Sequence, residues 1–177
     1  MKKTILLITF CLAAIFTAHA QVNKGRILIG GSGTFSKGLA NRPNYTSFGL
    51  SPNVGFFLAN QICVGFNASY NNYSQTNFSS SSLSIGPFAR FYLLSGNISP
   101  FAFAAGGYGG NFSDNAGTTT NSSLLSANAG VGVAFFLNDH VALEPSLGWY
   151  MVKPGNADGA SDLLLSIGLQ VYLGSEE

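Results

Sequence analysis

The sequence predicts an all-β protein, namely an eight-stranded antiparallel up-and-down transmembrane β-barrel preceded by a cleaved signal peptide. Three observations predict this fold. Apolar residues alternate with polar or small ones, with a period of two, in eight separate stretches. The apolar face of these stretches is free of charge, and the connections between them alternate between short and long. We expect residues 1–20 to be the signal peptide and residues 21–177 to be one barrel domain.

The first twenty residues have the three parts of a secretory signal. Lys2 and Lys3 precede an apolar run from Ile5 to Phe16, and small residues follow up to Ala20, after which we expect cleavage. The apolar run is shorter than the roughly 20 residues that a membrane-spanning helix needs, so the sequence excludes a helical anchor. Cleavage also removes one of the two cysteines, and the other one can form no disulfide within the chain.

The composition excludes an ordinary soluble surface. Only 8 % of the residues are charged, against about 25 % in an average soluble domain. Such a surface would aggregate in water unless something apolar covered it. Since two of the eight basic residues lie in the signal peptide, six basic and seven acidic residues remain, and no basic stripe suggests nucleic-acid binding.

The eight alternating stretches have the length that tilted membrane strands require. They span residues 25–36, 45–57, 62–71, 82–93, 99–110, 123–137, 141–151 and 162–173. A lysine or arginine that faces lipid at the membrane midplane costs about 2–4 kcal/mol, which explains an apolar face without charge. We expect that face to include Phe101 and Phe103, and we expect Phe56, Phe91, Phe101 and Phe135 to form an aromatic girdle at one membrane surface.

The connections predict the orientation of the barrel. Residues 58–61, 94–97 and 138–140 form short links, whereas residues 37–44, 72–81, 111–122 and 152–161 form longer polar ones. Barrels of this type have short periplasmic turns and longer outer loops. An even number of strands then returns the C-terminus to the side of the N-terminus.

Three prolines fall inside predicted strands. Pro52, Pro87 and Pro145 cannot donate a hydrogen bond to a neighbouring strand. At each of them we expect a β-bulge or a displaced strand end.

The last strand contains the pattern of an insertion signal. Ser166 is followed by Gly168 and then by the apolar residues Val171 and Leu173. With this ending, the chain resembles the OmpA/OmpX-like outer-membrane β-barrel family of Gram-negative bacteria over essentially all of its mature length. The resemblance implies an outer-membrane location with both termini in the periplasm. It also implies outer-membrane lipid and the barrel-insertion machinery as partners, and a polar network inside the barrel.

Three charged residues on the predicted inward face are the candidates for that network. Arg26, Arg90 and Glu144 each lie about three residues from a periplasmic strand end, so we expect them to meet at one depth. An eight-stranded barrel is just wide enough for side chains to fill it, so charges inside must pair. We expect Glu144 to accept hydrogen bonds from one or both arginines, with Gln170 nearby. A structural role is favoured over one in gating or transport.

The sequence contains no convincing catalytic or metal-binding set. Some lipid-modifying barrels of similar size use a histidine, a serine and a carboxylate on the outer side. His140, the only histidine after the signal peptide, lies instead in a predicted short turn beside Asp139. His, Cys and carboxylate residues show no ligand spacing. We therefore predict no enzyme activity and no cofactor.

Three aromatic residues lie in the predicted outer loops. Tyr73, Phe78 and Phe112 either contact an unknown surface ligand or pack the loops themselves. The predicted function is that of a non-enzymatic outer-membrane barrel with a structural or surface-interaction role. A narrow pore or small-solute transporter is the alternative, and a lipid-modifying enzyme is a more distant one.

Overall fold

The chain forms a closed barrel of eight antiparallel strands. The computed structural model describes residues 22–37, 45–115, 117–155 and 158–174, and the predicted signal peptide lies outside them. Each strand pairs with its neighbour in chain order, and β8 closes the barrel against β1. The strands are β1 (Ile27–Lys37), β2 (Tyr45–Ala59), β3 (Ile62–Gln75), β4 (Phe78–Tyr92), β5 (Ile98–Asn115), β6 (Thr118–Phe136), β7 (Val141–Pro154) and β8 (Ala160–Leu173). The predicted barrel of eight antiparallel strands is confirmed. The described residues contain no helix that is long and apolar enough to cross a membrane.

Both ends of the described chain lie at the same end of the barrel, which we call the base; the opposite end is the top. Ile27 at the start of β1 pairs with Leu173 at the end of β8. Residues 60–61, 93–97 and 137–140 make short connections at the base, as the sequence predicts. The register shifts between Phe57 and Ala59, next to the first of these connections.

Two of the predicted long loops at the top are wrong. Residues 72–81 instead continue β3 and β4 as a regular hairpin that ends in a two-residue turn, and the described residues of 111–122 continue β5 and β6. The backbone at Asn77 adopts a φ of 62°, a left-handed conformation that asparagine tolerates better than most residues. The serine- and asparagine-rich sequence resembles a loop, but its side chains bond across the hairpin, for example from Asn72 to Ser81 at 2.9 Å.

The outer face of the barrel is apolar, and Leu163 and Leu165 are more than 70 % exposed there. The prediction that Phe101 and Phe103 belong to this face is wrong, because both point into the barrel and Phe101 is only 3 % exposed. The outward positions next to these two rings are Pro100, Ala102 and Ala104. Around these two rings both faces of the strand are therefore free of charge, and the alternation could not distinguish them.

The three prolines lie inside strands without a bulge. Between β2 and β3 the pairing is interrupted at Pro52, yet Leu50 pairs with Tyr70 and Asn53 with Asn67 in unchanged register. The same holds where β4 pairs with β5 and where β6 pairs with β7. The expectation of a bulge or a displaced strand end is wrong, because a proline removes a donor toward one neighbouring strand only and the other ladder continues past it.

Candidate functional site

An apolar cluster closes the base of the barrel, and we call it the plug. Its rings pack at centroid distances of 5.4 Å between Tyr92 and Phe101, 5.7 Å between Tyr92 and Phe57, and 4.8 Å between Tyr172 and Phe136. The plug consists of Val22, Leu28, Phe57, Cys63, Phe88, Tyr92, Phe101, Ala134, Ala142 and Tyr172, with Phe136 packed against them. These residues come from the base ends of all eight strands, so the lower part of the interior is filled.

The segment before β1 covers the plug from below. Val22 is completely buried, and its carbonyl accepts a hydrogen bond from the backbone N–H of Gln61 at 2.8 Å. The N–H of Gly25 donates to the carbonyl of Phe57 at 2.9 Å. This segment is not predictable from the sequence, because a single apolar residue after the predicted cleavage point gives no periodic signal.

Arg90 and Glu144 form an ion pair directly above the plug. Arg90 Nη1 lies 2.6 Å from Glu144 Oε2. The hydroxyl of Tyr172 donates to the other carboxylate oxygen at 2.6 Å. The hydroxyl of Tyr92 lies 2.9 Å from the hydroxyl of Tyr172 and extends the hydrogen-bonded series. The guanidinium of Arg90 also lies over the ring of Phe101, 5.2 Å from its centroid. The charges are therefore paired and held against the plug by hydrogen bonds and a cation–π contact.

Arg26 lies lower than this pair, so the expectation that three charges meet at one depth is wrong. Arg26 Nη2 donates to the backbone carbonyls of Asp139 at 2.8 Å and Tyr172 at 3.0 Å, at the rim of the base. Arg90 and Glu144 line the space above the plug, and Arg26 does not. Strands in a closed barrel are tilted and staggered, so an equal distance from a strand end does not give an equal depth.

Above the ion pair lies a polar cavity of about 570 Å³. Gln170 lies in its wall, fully buried, and neither amide atom of Gln170 has a hydrogen-bond partner. The buried side-chain oxygens of Asn53, Asn67 and Asn128 also lack partners, and all three residues line the cavity. Unpaired buried polar atoms are rare in folded proteins. Sequence alternation placed these residues inside the barrel but could not show which of them lack partners.

The residues of the predicted insertion signal divide between the two faces of β8. Ser166 points inward and lies 2.8 Å from the hydroxyl of Ser146. Gly168 faces the same cavity, whereas Val171 and Leu173 lie on the outer face of β8, where this strand pairs with β1.

The aromatic residues predicted in outer loops lie in strands. Tyr73 and Phe78 line the upper cavity, 6.2 Å apart between ring centroids, and Tyr45 stacks on Tyr73 at 5.5 Å. Their predicted place in a contact loop is therefore wrong. Phe112 lies in β5 on the outer face and is 51 % exposed.

The histidine considered for catalysis lies at the base. The side-chain oxygen of Asn138 accepts hydrogen bonds from the backbone N–H groups of His140 and Val141, which forms an Asx turn. Among the described residues, no group of three His, Cys, Asp or Glu side chains could hold a metal ion. Cys63 is a buried free thiol that packs in the plug.

A closed eight-stranded barrel with an apolar exterior and a plugged polar interior has the fold of the small outer-membrane barrels. The N-terminal β-barrel domain of OprF from Pseudomonas aeruginosa is similar, with a TM-score of 0.61 and 14 % identity over 85 % of this chain and 98 % of that one. Neisserial surface protein A (NspA) is similar with a TM-score of 0.59 and 18 % identity, over 82 % and 95 % of the two chains.

The outer membrane protein OprG from Pseudomonas aeruginosa gives a TM-score of 0.50 at 12 % identity, over 88 % of this chain and 99 % of that one. No family model matches the sequence, and no curated protein matches it. The likeness is therefore one of fold.

Proposed function

We propose that this chain is an integral protein of the bacterial outer membrane that passes no solute and makes contacts at the cell surface through the hairpins at its top. The apolar exterior supports the membrane location, because large aliphatic and aromatic side chains exposed on every strand need lipid around them. The shared fold of OprF, NspA and OprG supports the same location.

The plug is the observation that carries the proposal. A solute that crossed the barrel would have to pass between Phe57, Tyr92 and Tyr172, which are completely buried against one another. Interiors packed at this density contain few voids larger than a water molecule. Because the base is closed to solutes, we assign the function of the barrel to contacts made at its top.

The hairpins extend well beyond the apolar exterior. The upper limit of the apolar exterior is a band in which Tyr70 pairs with Leu83 and Tyr108 pairs with Leu125. A tilted strand needs about 9–11 residues to span a membrane, whereas β5 has 18 and β6 has 19. Above the band the outward side chains are mainly serine, threonine and asparagine, and Phe112 is the large apolar exception. An exposed aromatic residue on a rigid polar hairpin suits contact with a partner.

The orientation follows from the two ends of the barrel. Short turns and both described chain ends lie at the base, and such turns are periplasmic in outer-membrane barrels. We assign the base to the periplasm and the top to the cell surface. In this assignment Ser166, Gly168, Val171 and Leu173 are the signal that the insertion machinery reads during assembly.

A shortened hairpin tests the surface role. Asn111 pairs with Ser122, so residues 112–121 can be replaced by Asn-Gly, a sequence that favours a two-residue turn, without changing the register. A deletion strain would be complemented with the full-length or the shortened chain. Attachment to host cells and resistance to bile salts would then be measured, after equal insertion is verified by gel shift.

The surface role predicts that the shortened chain restores bile-salt resistance but not attachment. Phe112→Ser provides a milder variant that keeps the hairpin, and it should also reduce attachment. Equal attachment by all three chains would contradict the surface role. If both lengths restore bile-salt resistance and also attach equally, the barrel itself performs a structural role.

A narrow pore is the second candidate, because the polar cavity occupies the upper interior and reaches the Arg90–Glu144 pair. Conductance across planar bilayers distinguishes the two. The plugged base predicts no stepwise conductance from the purified barrel at neutral pH, and steady channel openings would favour the pore.

A further inference from the structure

We infer that the cavity above the ion pair is a binding site for a neutral, hydroxyl-rich small molecule of saccharide size that enters from the top. This inference is independent of the contact role of the hairpins, since it concerns the barrel interior. Several polar side-chain atoms of residues in the cavity wall have no hydrogen-bond partner within the protein.

The clearest of these groups is the amide of Gln170. The side chain is fully buried, it lies in the cavity wall, and both its Nε2 and its Oε1 lack hydrogen-bond partners. On the neighbouring strand, a Cβ at Gly30 would overlap both Oε1 of Gln170 and the backbone carbonyl of Leu169. A buried amide without partners costs free energy, and an apolar residue of similar shape would avoid this cost.

The other unpartnered groups lie in the same wall. Asn53 and Asn67 face each other across β2 and β3, and Gly30 pairs with both Asn53 and Gln170. Asn128 lines the cavity from β6. An amide side chain offers both donors and an acceptor, which is the combination that matches hydroxyl groups, because each hydroxyl also donates and accepts.

The charge of the wall favours a neutral ligand. The cation of Arg90 is already paired with Glu144 at 2.6 Å, so the floor of the cavity offers no free charge to an ion. Asp162 also lines the cavity, and its carboxylate accepts hydrogen bonds from hydroxyl groups and repels anions. Phe88, Phe101 and Phe103 add apolar surface beside the amides. A few polar groups placed among apolar rings are typical of small-molecule pockets. Sugars present a matching surface, with hydroxyl groups around a ring whose faces are apolar.

The volume and the direction of access fit a small ligand. The cavity measures about 570 Å³, within the range of roughly 300–1,000 Å³ for ligand pockets. Its lining continues upward to Ser80, Ser113 and Pro154 at the upper ends of their strands, and the plug closes the lower end. A ligand therefore enters the cavity from the top.

Calorimetric titration of the folded, full-length barrel tests the site. The detergent is lauryldimethylamine oxide, because maltoside detergents carry a sugar headgroup. The probes are N-acetylglucosamine, glucose and sodium phosphate. We expect at least one of the two saccharides to bind at millimolar concentrations or below, and phosphate not to bind. No heat from either saccharide, or binding of phosphate instead, would overturn the inference.

Two variants locate the binding. Gln170→Met and Asn67→Leu remove an amide at nearly constant volume, and each should weaken saccharide binding about tenfold, as expected when a ligand hydrogen bond is lost. Asn121→Leu makes the second change on the β5–β6 hairpin, outside the cavity, and should bind like the unmodified chain. Equal affinity of all four proteins would place any binding elsewhere and overturn the assignment.

Thermal unfolding without saccharide gives a readout that needs no ligand. Gln170→Met should unfold a few degrees above the unmodified barrel, because methionine replaces an amide that makes no bond within the protein. A lower unfolding temperature would show that the amide is already satisfied in the free barrel and would contradict its role as a ligand contact.

Discussion

Replacing Glu144 with leucine removes the carboxylate that links Arg90 to the hydroxyl groups of Tyr172 and Tyr92. Glu144 is 3 % exposed and accepts hydrogen bonds from Arg90 and from Tyr172, both at 2.6 Å. The variant leaves Arg90, whose side chain is 13 % exposed, without its counter-charge. Removing one partner of a buried ion pair costs about 3–5 kcal/mol. The lost acceptor for Tyr172 adds about 1 kcal/mol.

A double variant separates the cost of an unpaired charge from the cost of altered packing. In Arg90→Met/Glu144→Leu both charges are absent, and replacing a buried pair by apolar residues is often neutral. We expect this protein to lie within about 2 kcal/mol of the unmodified barrel, although each single variant is destabilised by more than that.

Urea unfolding of the barrel in phospholipid vesicles measures these differences. Trp149, the single tryptophan of the chain, is 44 % exposed on the outer face, so its fluorescence reports loss of the lipid environment. With a slope of about 1–3 kcal/mol per molar urea, the single variant should lower the unfolding midpoint by more than about 1 M. A midpoint unchanged by Glu144→Leu would refute the reasoning, as would a double variant whose loss equals the sum of the two single losses.

Three further pairs of substitutions test the lipid face, the close approach of two strands and a turn, each by the same unfolding assay. Ile167→Arg, at the centre of the lipid face of β8, should cost about 2–4 kcal/mol, whereas Ser161→Arg on the same face near the top should cost less than about 1 kcal/mol. A Cβ at Gly86 would overlap the backbone of β5, so Gly86→Ala should cost about 1–3 kcal/mol, while Gly106→Ala, whose Cβ would meet its nearest atom at 3.9 Å, should be neutral. Because the φ of Asn77 is 62°, Asn77→Val should destabilise the β3–β4 hairpin by about 1–2 kcal/mol and Asn77→Gly should not. In each pair, a larger loss of stability from the second substitution than from the first would contradict the structural feature that the pair tests.

The fold was predictable because a barrel in lipid imposes one rule on every strand. Side chains at positions i and i+2 face the same medium, so Leu163, Leu165 and Ile167 are apolar while Leu164 and Ser166 face the cavity. The rule fails where both faces have the same character. Phe101 and Phe103 alternate with Pro100 and small residues, and nothing in the pattern shows that the rings point inward.

Other features depend on contacts between distant parts of the chain. The hairpins at the top continue as strands because serine and asparagine side chains bond between neighbouring strands, as from Ser80 to Asn111 at 3.1 Å. Composition alone makes the same residues look like loops. The depth of Arg26 and the partnerless amide of Gln170 follow from the stagger of the closed barrel, which no single strand reveals.

The proposed place of this chain in the outer membrane is tested most directly by a heat-dependent gel shift. The full-length chain would be expressed in a Gram-negative host, the outer membrane separated from the inner membrane, and the extract divided into boiled and unboiled samples. We expect to find the protein in the outer-membrane fraction, and we expect the unboiled band to migrate differently from the boiled one, because eight strands paired into a closed barrel resist the detergent. Recovery in another fraction, or identical migration of the two samples, would contradict it.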